Sequence, residues 1–186
     1  AFKMRILITG GAGFVGSHAA EFYANKGFEV RVFDNMSRAL LLGKDDKNAF
    51  FNWNYLKRFN NIELIKGDVR NFNEINNACK DVDIAIHAAA QTAVTSSVKS
   101  PSEDFHTNAL GTFNTLEAAR KNNVKKFVYC STNKVYGGNV NNIGVIENEG
   151  KYNFKKGMSY NQKFTQALEW WEDSLFHLRF AIRTPE

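Results

Sequence analysis

The chain has 186 residues, of which 44% are hydrophobic, 23% charged and only two proline. That make-up fits one globular domain with a buried core; it excludes a collagen-like or proline-rich disordered chain and, with no run of 18 apolar residues, a membrane-spanning helix. The net charge is +5, yet no basic run exceeds Lys125-Lys126 or Lys155-Lys156; nucleic-acid binding wants a clustered basic stripe, so the scatter points to small anionic ligands instead.

Arg5-Ile6-Leu7-Ile8 reads as a short buried strand ending at Thr9-Gly10. Val15, Ala19, Phe22 and Tyr23 follow at helical spacing up to Gly27, a C-terminal cap. Glu29 to Phe33 predicts a second strand. Ser37 to Asn61 is a long insertion, within which Ala49 to Phe59 predicts an amphipathic helix rich in aromatics. Ile62 to Ile65 is a third strand, Asn71 to Lys80 a short helix, and Asp83 to His87 a fourth strand. Ser102 to Asn122 predicts a long helix, capped by Ser102 after Pro101, with Phe105, Ala109, Phe113, Leu116 and Ala119 along one face. Lys126 to Cys130 is a fifth strand. The Gly- and Asn-rich residues 139–158 carry no period and read as an irregular loop, and Phe180 to Arg183 as a sixth strand. Strand and helix alternate throughout, which predicts an α/β fold: a doubly wound parallel sheet covered on both faces.

The sharpest chemical signal is Thr9-Gly10-Gly11-Ala12-Gly13-Phe14-Val15-Gly16, directly after a strand and before a helix. Gly10 serves a tight turn, Gly13 close approach of a pyrophosphate, and Gly16 close packing of helix on sheet. The helix N-terminus offers free N–H groups and a positive dipole end. Asp34 ends the second strand 18 residues beyond Gly16, in range for the ribose hydroxyls of adenosine, where a carboxylate repels a 2′-phosphate and favours NAD over NADP. Arg38 lies four residues further on. Cys79 and Cys130 show no CxxC and no His cluster, so neither a disulfide framework nor a metal site is expected. The apolar stretch Ile6 to Ile8 is too short for a signal peptide, so a cytoplasmic protein is expected.

Six motifs in chain order are similar to those of the extended short-chain dehydrogenase/reductases, the nucleotide-sugar epimerases and dehydratases: the glycine loop, Phe33-Asp34-Asn35, Gly67-Asp68-Val69, His87-Ala88-Ala89-Ala90, Asn108-Ala109-Leu110-Gly111-Thr112 and Ser131-Thr132-Asn133-Lys134-Val135-Tyr136-Gly137. The resemblance implies a single NAD-binding Rossmann domain over residues 1–186, with most of the C-terminal substrate domain missing. NAD would lie on Gly10, Gly13, Phe14, Val15, Gly16, Asp34, Asn35 and Ser37. Asp68 and Val69 would hold its adenine. Ala88, Ala89 and Ala90 would admit the nicotinamide ribose and pyrophosphate, Asn108 would support that side, and Ser131 would sit beside Thr132, the catalytic hydroxyl. Dehydratases carry Asp-Glu where this chain has Asn133-Lys134, and the segments around Asp34 and Thr132 look most like the CDP-paratose 2-epimerase branch.

The family also uses a Tyr with a Lys four residues later on one helix face, the cation lowering the Tyr pKa so that the phenolate takes a proton from the sugar. Here Tyr160 and Lys163 are three apart at the head of an amphipathic stretch and are the preferred pair, the alternative being a packed Tyr and a solvated Lys; Tyr152 and Lys156 have the right spacing but no helix beyond Gly157. The implied activity is NAD-dependent epimerisation of a nucleotide-diphosphate sugar, with a homodimer through the two long helices. A non-catalytic NAD-binding protein and a nucleotide-sugar reductase or dehydrogenase remain open.

Overall fold

Ile6, Leu7 and Ile8 are successive residues of one strand, and all three are fully buried. Successive side chains of a strand point to opposite faces, so such a run needs cover on both sides, the environment of a central parallel strand. The computed structural model describes residues 4–38, 50–92, 94–131 and 144–154 and supplies that cover. Strands β1 (Arg5–Thr9), β2 (Glu29–Asp34), β3 (Ile62–Lys66), β4 (Ile84–His87) and β5 (Lys126–Tyr129) form one sheet in the order β3-β2-β1-β4-β5, every pairing parallel. The chain adds β2 and β3 on one side of β1, then returns to add β4 and β5 on the other, as a doubly wound sheet requires.

Helices cover both faces. On one, α1 (Phe14–Asn25) and α2 (Phe51–Leu56) pack Ala20, Ala24 and Leu56 against Ile6, Ile8, Val30, Val32 and Ile86. On the other, α3 (Phe72–Ala78) and a long helix set Ile75, Ala78 and Ala118 on Leu7, Phe33 and Ala85. Asn71 caps α3, its side chain accepting from the Asn73 and Glu74 amides. After β4 comes a short helix, α4 (Val94–Lys99), which the sequence pattern does not announce.

The long helix differs from expectation in three ways. It begins at Pro101 with Ser100 as N-cap, so Ser102 lies inside it. It runs as α5 (Pro101–Phe105), a π-helical turn (His106–Leu110) and α6 (Gly111–Lys121). Its core face carries Gly111, Thr112, Thr115, Ala118 and Ala119, while Phe105 and Phe113 are each 62% exposed. The π turn inserts one residue per turn and shifts the register, so a face read at constant 3.6-residue spacing is not the face that packs.

Compact units divide the chain at Cys130, into Ala1–Cys130 and Ser131–Glu186, where the sequence reading expects one domain to residue 186. The second unit holds a β-hairpin, β6 (Val145–Asn148) paired antiparallel with β7 (Lys151–Phe154), inside the stretch expected to be irregular. Its two turn residues, Glu149 at φ 49° and Gly150 at φ 74°, are both left-handed, the signature of the tight hairpin turn that follows strand twist. The expectation fails because Glu-Gly is a weaker turn signal than Asn-Gly and the strands are only four residues each. The proposed sixth strand lies outside the described residues.

Buried among the apolar side chains of the first unit is His87, 1% exposed, its Nδ1 2.7 Å from Thr9 Oγ1 and its Nε2 3.1 Å from Thr112 Oγ1, with Tyr129 stacked on the ring. Burial pushes its pKa from 6.5 down to about 4. The unfolded chain therefore takes up a proton near pH 6.5 that the folded chain refuses until about pH 4, and stability falls as pH drops through that window. Urea unfolding is expected to show this imidazole costing about 2 kcal/mol at pH 5 relative to pH 7. The check is the same pair of measurements on His87→Gln, in which that part of the pH dependence disappears; an unchanged slope would contradict the assignment.

Candidate cofactor-binding site

The site is built where the strand order reverses, between the carboxyl ends of β1 and β4. Gly10 leaves β1 at φ 66°, and a Cβ there would stand 2.7 Å from the Ala88 carbonyl oxygen and the Ala89 nitrogen. A Cβ on Gly16 would collide with the Gly10 carbonyl oxygen and meet Gly11 Cα at 2.7 Å. Gly11 is excluded from bearing a side chain as well, by Val32 Cγ1 at 2.7 Å, a constraint the spacing argument does not include. Gly13 differs: a Cβ there would meet only the Gly10 oxygen, at 3.1 Å, and otherwise open space. Gly10, Gly11 and Gly16 thus pack the loop down, while a side chain at Gly13 would face open space.

Gly13 is also the N-cap of α1 and brings no side chain to its free amides, and no acidic residue lies in the first turn. Phe14 and Val15 follow, 74% and 60% exposed, flanking that end of the helix. An uncapped, uncompensated N-terminus of a 12-residue helix favours an anion.

Asp34 ends β2 beside this loop. One carboxylate oxygen accepts from the Ala12 amide at 3.0 Å and the other from the Met36 amide at 2.8 Å. Burial pushes its carboxyl above the ordinary carboxylate range, against the opposing pull of those two amides. Asn52 on α2 completes the clasp: its Nδ2 donates to the Ala12 carbonyl at 3.0 Å and reaches the Gly13 carbonyl at 3.5 Å. Carbonyls accept only, so both turn inward toward Asn52. Sequence reasoning misses Asn52, because it sits among aromatics in the insertion, 40 residues from its partner.

Asn35 and Asp68, each expected only as a cofactor contact, also meet one another, Asn35 Nδ2 donating to Asp68 Oδ2 at 2.9 Å, while Asn35 Oδ1 accepts from the Ser37 amide. Arg70 also binds Asp68, through Nε and Nη2, and with Asn35 holds the Asp68 carboxyl below its ordinary value against the opposing effect of desolvation. Val69 is buried under Gly111, where a Cβ would stand 2.6 Å from Val69 Cγ2; it packs the long helix rather than lying open to a ligand. Arg38 Nη1 points to Thr92 Oγ1 at 3.4 Å.

At the end of β4, Ala88 and Ala89 are half-buried and Ala90 exposed. Ala88 N donates to the Thr9 carbonyl and Ala89 N to Thr9 Oγ1 at 3.4 Å, which pins this segment against Gly10. Asn108 lies in the π turn, its Oδ1 accepting from the Gln91 amide at 2.8 Å and its Nδ2 donating to Asp104 at 3.1 Å. Ser131 is exposed and opens the second unit. Thr132, Tyr160 and Lys163 lie outside the described residues. Of the alternative pair, Lys156 is outside them too, and Tyr152 belongs to strand β7 rather than to a helix. Among the described residues no group of three metal-ligating side chains exists, and no helix is long and apolar enough to cross a membrane.

These residues fit a dinucleotide: three glycines clear the floor, one opens the loop, a bare helix N-terminus awaits an anion, and a carboxylate stands at the end of the neighbouring strand. Comparison with known proteins agrees. The model of the NAD dependent epimerase/dehydratase family matches residues 6–171. The CDP-paratose 2-epimerase of Salmonella typhi is 42% identical over 137 residues, covering 72% of this chain and 38% of its own. The dTDP-D-glucose 4,6-dehydratase of Dictyostelium discoideum is 35% identical over 165 residues, covering 87% of this chain and 35% of its own. The structure of Thermus thermophilus UDP-glucose 4-epimerase in complex with NAD superposes with a TM-score of 0.56 at 28% identity, over 91% of this chain and 49% of that one. The chain thus spans less than half the length of each of these relatives. With the fold, the loop and the matched residues in accord, the chain belongs to the NAD dependent epimerase/dehydratase family.

Proposed function

We propose that this chain holds NAD across the carboxyl ends of β1, β2 and β4, and that the protein carrying it epimerises a carbon of a nucleotide-diphosphate sugar, with a CDP-sugar the first candidate. The observation that carries the reading is the outward-facing Gly13 at the bare N-terminus of α1, set beside the Asp34 carboxylate. Bound NAD supplies reversible acceptance of a hydride from the sugar carbon, so no net oxidation results. The Phe14–Gly16 amides serve the pyrophosphate, Asp34 the adenosine ribose, and Asn35 with Asp68 the adenine side. Asn52 keeps the Ala12 and Gly13 carbonyls turned away from the phosphates, so that only donors face the anion. In this reading Thr132 hydrogen-bonds the sugar hydroxyl, and Tyr160, its phenolate favoured by Lys163, takes the proton; both roles rest on the resemblance alone.

Epimerase is preferred to dehydratase because Asn133-Lys134 provides no acid–base carboxylate pair to expel water, and the 42% identity to a CDP-paratose 2-epimerase supports the CDP-sugar. The exposed Phe105 and Phe113 on the long helix support a homodimer through that surface.

The protein carrying this chain is expected to convert a CDP-sugar into its epimer with no cofactor added, followed by NMR of the sugar. Steady NADH consumption with a keto-sugar would replace the reading by a reductase, and NAD binding with neither reaction by a non-catalytic protein. Asp34→Asn is expected to narrow the NAD over NADP preference by about tenfold, read from the two dissociation constants; a wild-type preference for NADP would count against Asp34 as the ribose partner. Asn52→Asp, which sets a carboxylate against two carbonyls and beside the phosphates, is expected to weaken NAD binding by about tenfold or more and by more than Asn52→Ala does. Equal affinities for the two variants and the wild type in calorimetric titration would remove Asn52 from the site.

A further inference from the structure

A hydroxyl has one proton, and that fixes the direction of each hydrogen bond around His87. Thr112 Oγ1 donates to the Asn108 carbonyl at 2.6 Å, because a carbonyl can only accept. Thr112 then has no proton left for His87 Nε2, 3.1 Å away, and must accept from it. Nε2 therefore carries a proton. The ring is buried and neutral near pH 7, so Nδ1 carries none and accepts from Thr9 Oγ1 at 2.7 Å. The Thr9 oxygen keeps a lone pair for the Ala89 amide at 3.4 Å. The opposite tautomer would set the Nε2 lone pair against the lone pairs of Thr112.

The bonds run one way, from the Ala89 amide through Thr9, His87 and Thr112 to the Asn108 carbonyl. They join the end of β1, the end of β4 and the π turn of the long helix, whose Asn108 also receives the Gln91 amide. Thr9, His87 and Thr112 are all buried and, among the described residues, no buried side-chain polar atom lacks a partner.

We propose that His87, as its Nε2-protonated tautomer, is a positioning residue that holds Ala89 and Asn108 in place by accepting from one threonine and donating to another. What those two positions serve, the nicotinamide side of the site, rests on the NAD reading; the direction of the bonds does not.

Nitrogen-15 NMR of the full chain near neutral pH is expected to show His87 with Nε2 protonated and Nδ1 bare. Thr112→Val, which keeps the shape but removes the acceptor, is expected to speed amide exchange at Ala89 and Gln91 by about tenfold and to weaken NAD binding by a similar factor, with Thr112→Ser restoring both. A ring protonated at Nδ1, or Thr112→Val amides exchanging at the wild-type rate, would overturn the proposal. If Thr112→Val does not fold, the wild-type ring spectrum decides. A wild-type chain with the expected ring spectrum but no affinity for NAD would remove the NAD reading while leaving His87 as the link between β1, β4 and the helix.

Discussion

The close approach of backbone to backbone at Gly10 is the constraint on which the rest of the site depends. β1 and β4 are neighbours whose chain connections leave in opposite directions, and the gap so created is narrow enough that a single Cβ on Gly10 would meet the Ala88–Ala89 peptide at 2.7 Å. Because Gly10 turns there with φ 66°, the loop folds back over the strand ends. The N-terminus of α1 then comes to bear on the same gap. Gly16 lets the first turn of α1 rest on the loop itself. Remove either glycine and the helix dipole and its free amides no longer converge where a phosphate would lie.

Around that core of sterics, polar contacts hold the loop in a single orientation. Asp34 takes the Ala12 amide from the β2 side, and Asn52 gives to the Ala12 and Gly13 carbonyls from α2. The Thr9–His87–Thr112 link does the same for the opposite wall, tying the β4 end to the long helix. Each joins elements distant in sequence, so the site is rigid only when the sheet and both helix layers, α2 included, are folded together.

The fold was legible because its signals are local and strong. Ile6-Leu7-Ile8, short and stopped by Thr9-Gly10, reads as a doubly covered strand, and GxxGxxG between a strand and a helix, followed by Asp34, carries its own geometry. Gly10 makes the tight turn its position calls for, and Asp34 ends β2 beside it. Other features escaped for physical reasons. Asn52 acts across 40 residues with no spacing rule, and the π turn of the long helix, past which Phe113 is exposed, leaves no mark in a 3.6-residue pattern. The Glu149-Gly150 hairpin hides in a stretch whose composition reads as loop. The contact of Val69 with Gly111 on the long helix likewise had no sequence signal.

The central claim is that the first unit is a formed dinucleotide site and not only a sheet with a glycine-rich turn. Denaturing the purified chain and quantifying the nicotinamide dinucleotide it releases tests this most directly. The account predicts NAD in stoichiometric amount, either carried from the cell or taken up on incubation with excess NAD and retained through gel filtration. A chain that is folded by its circular dichroism yet releases none after that incubation would contradict it.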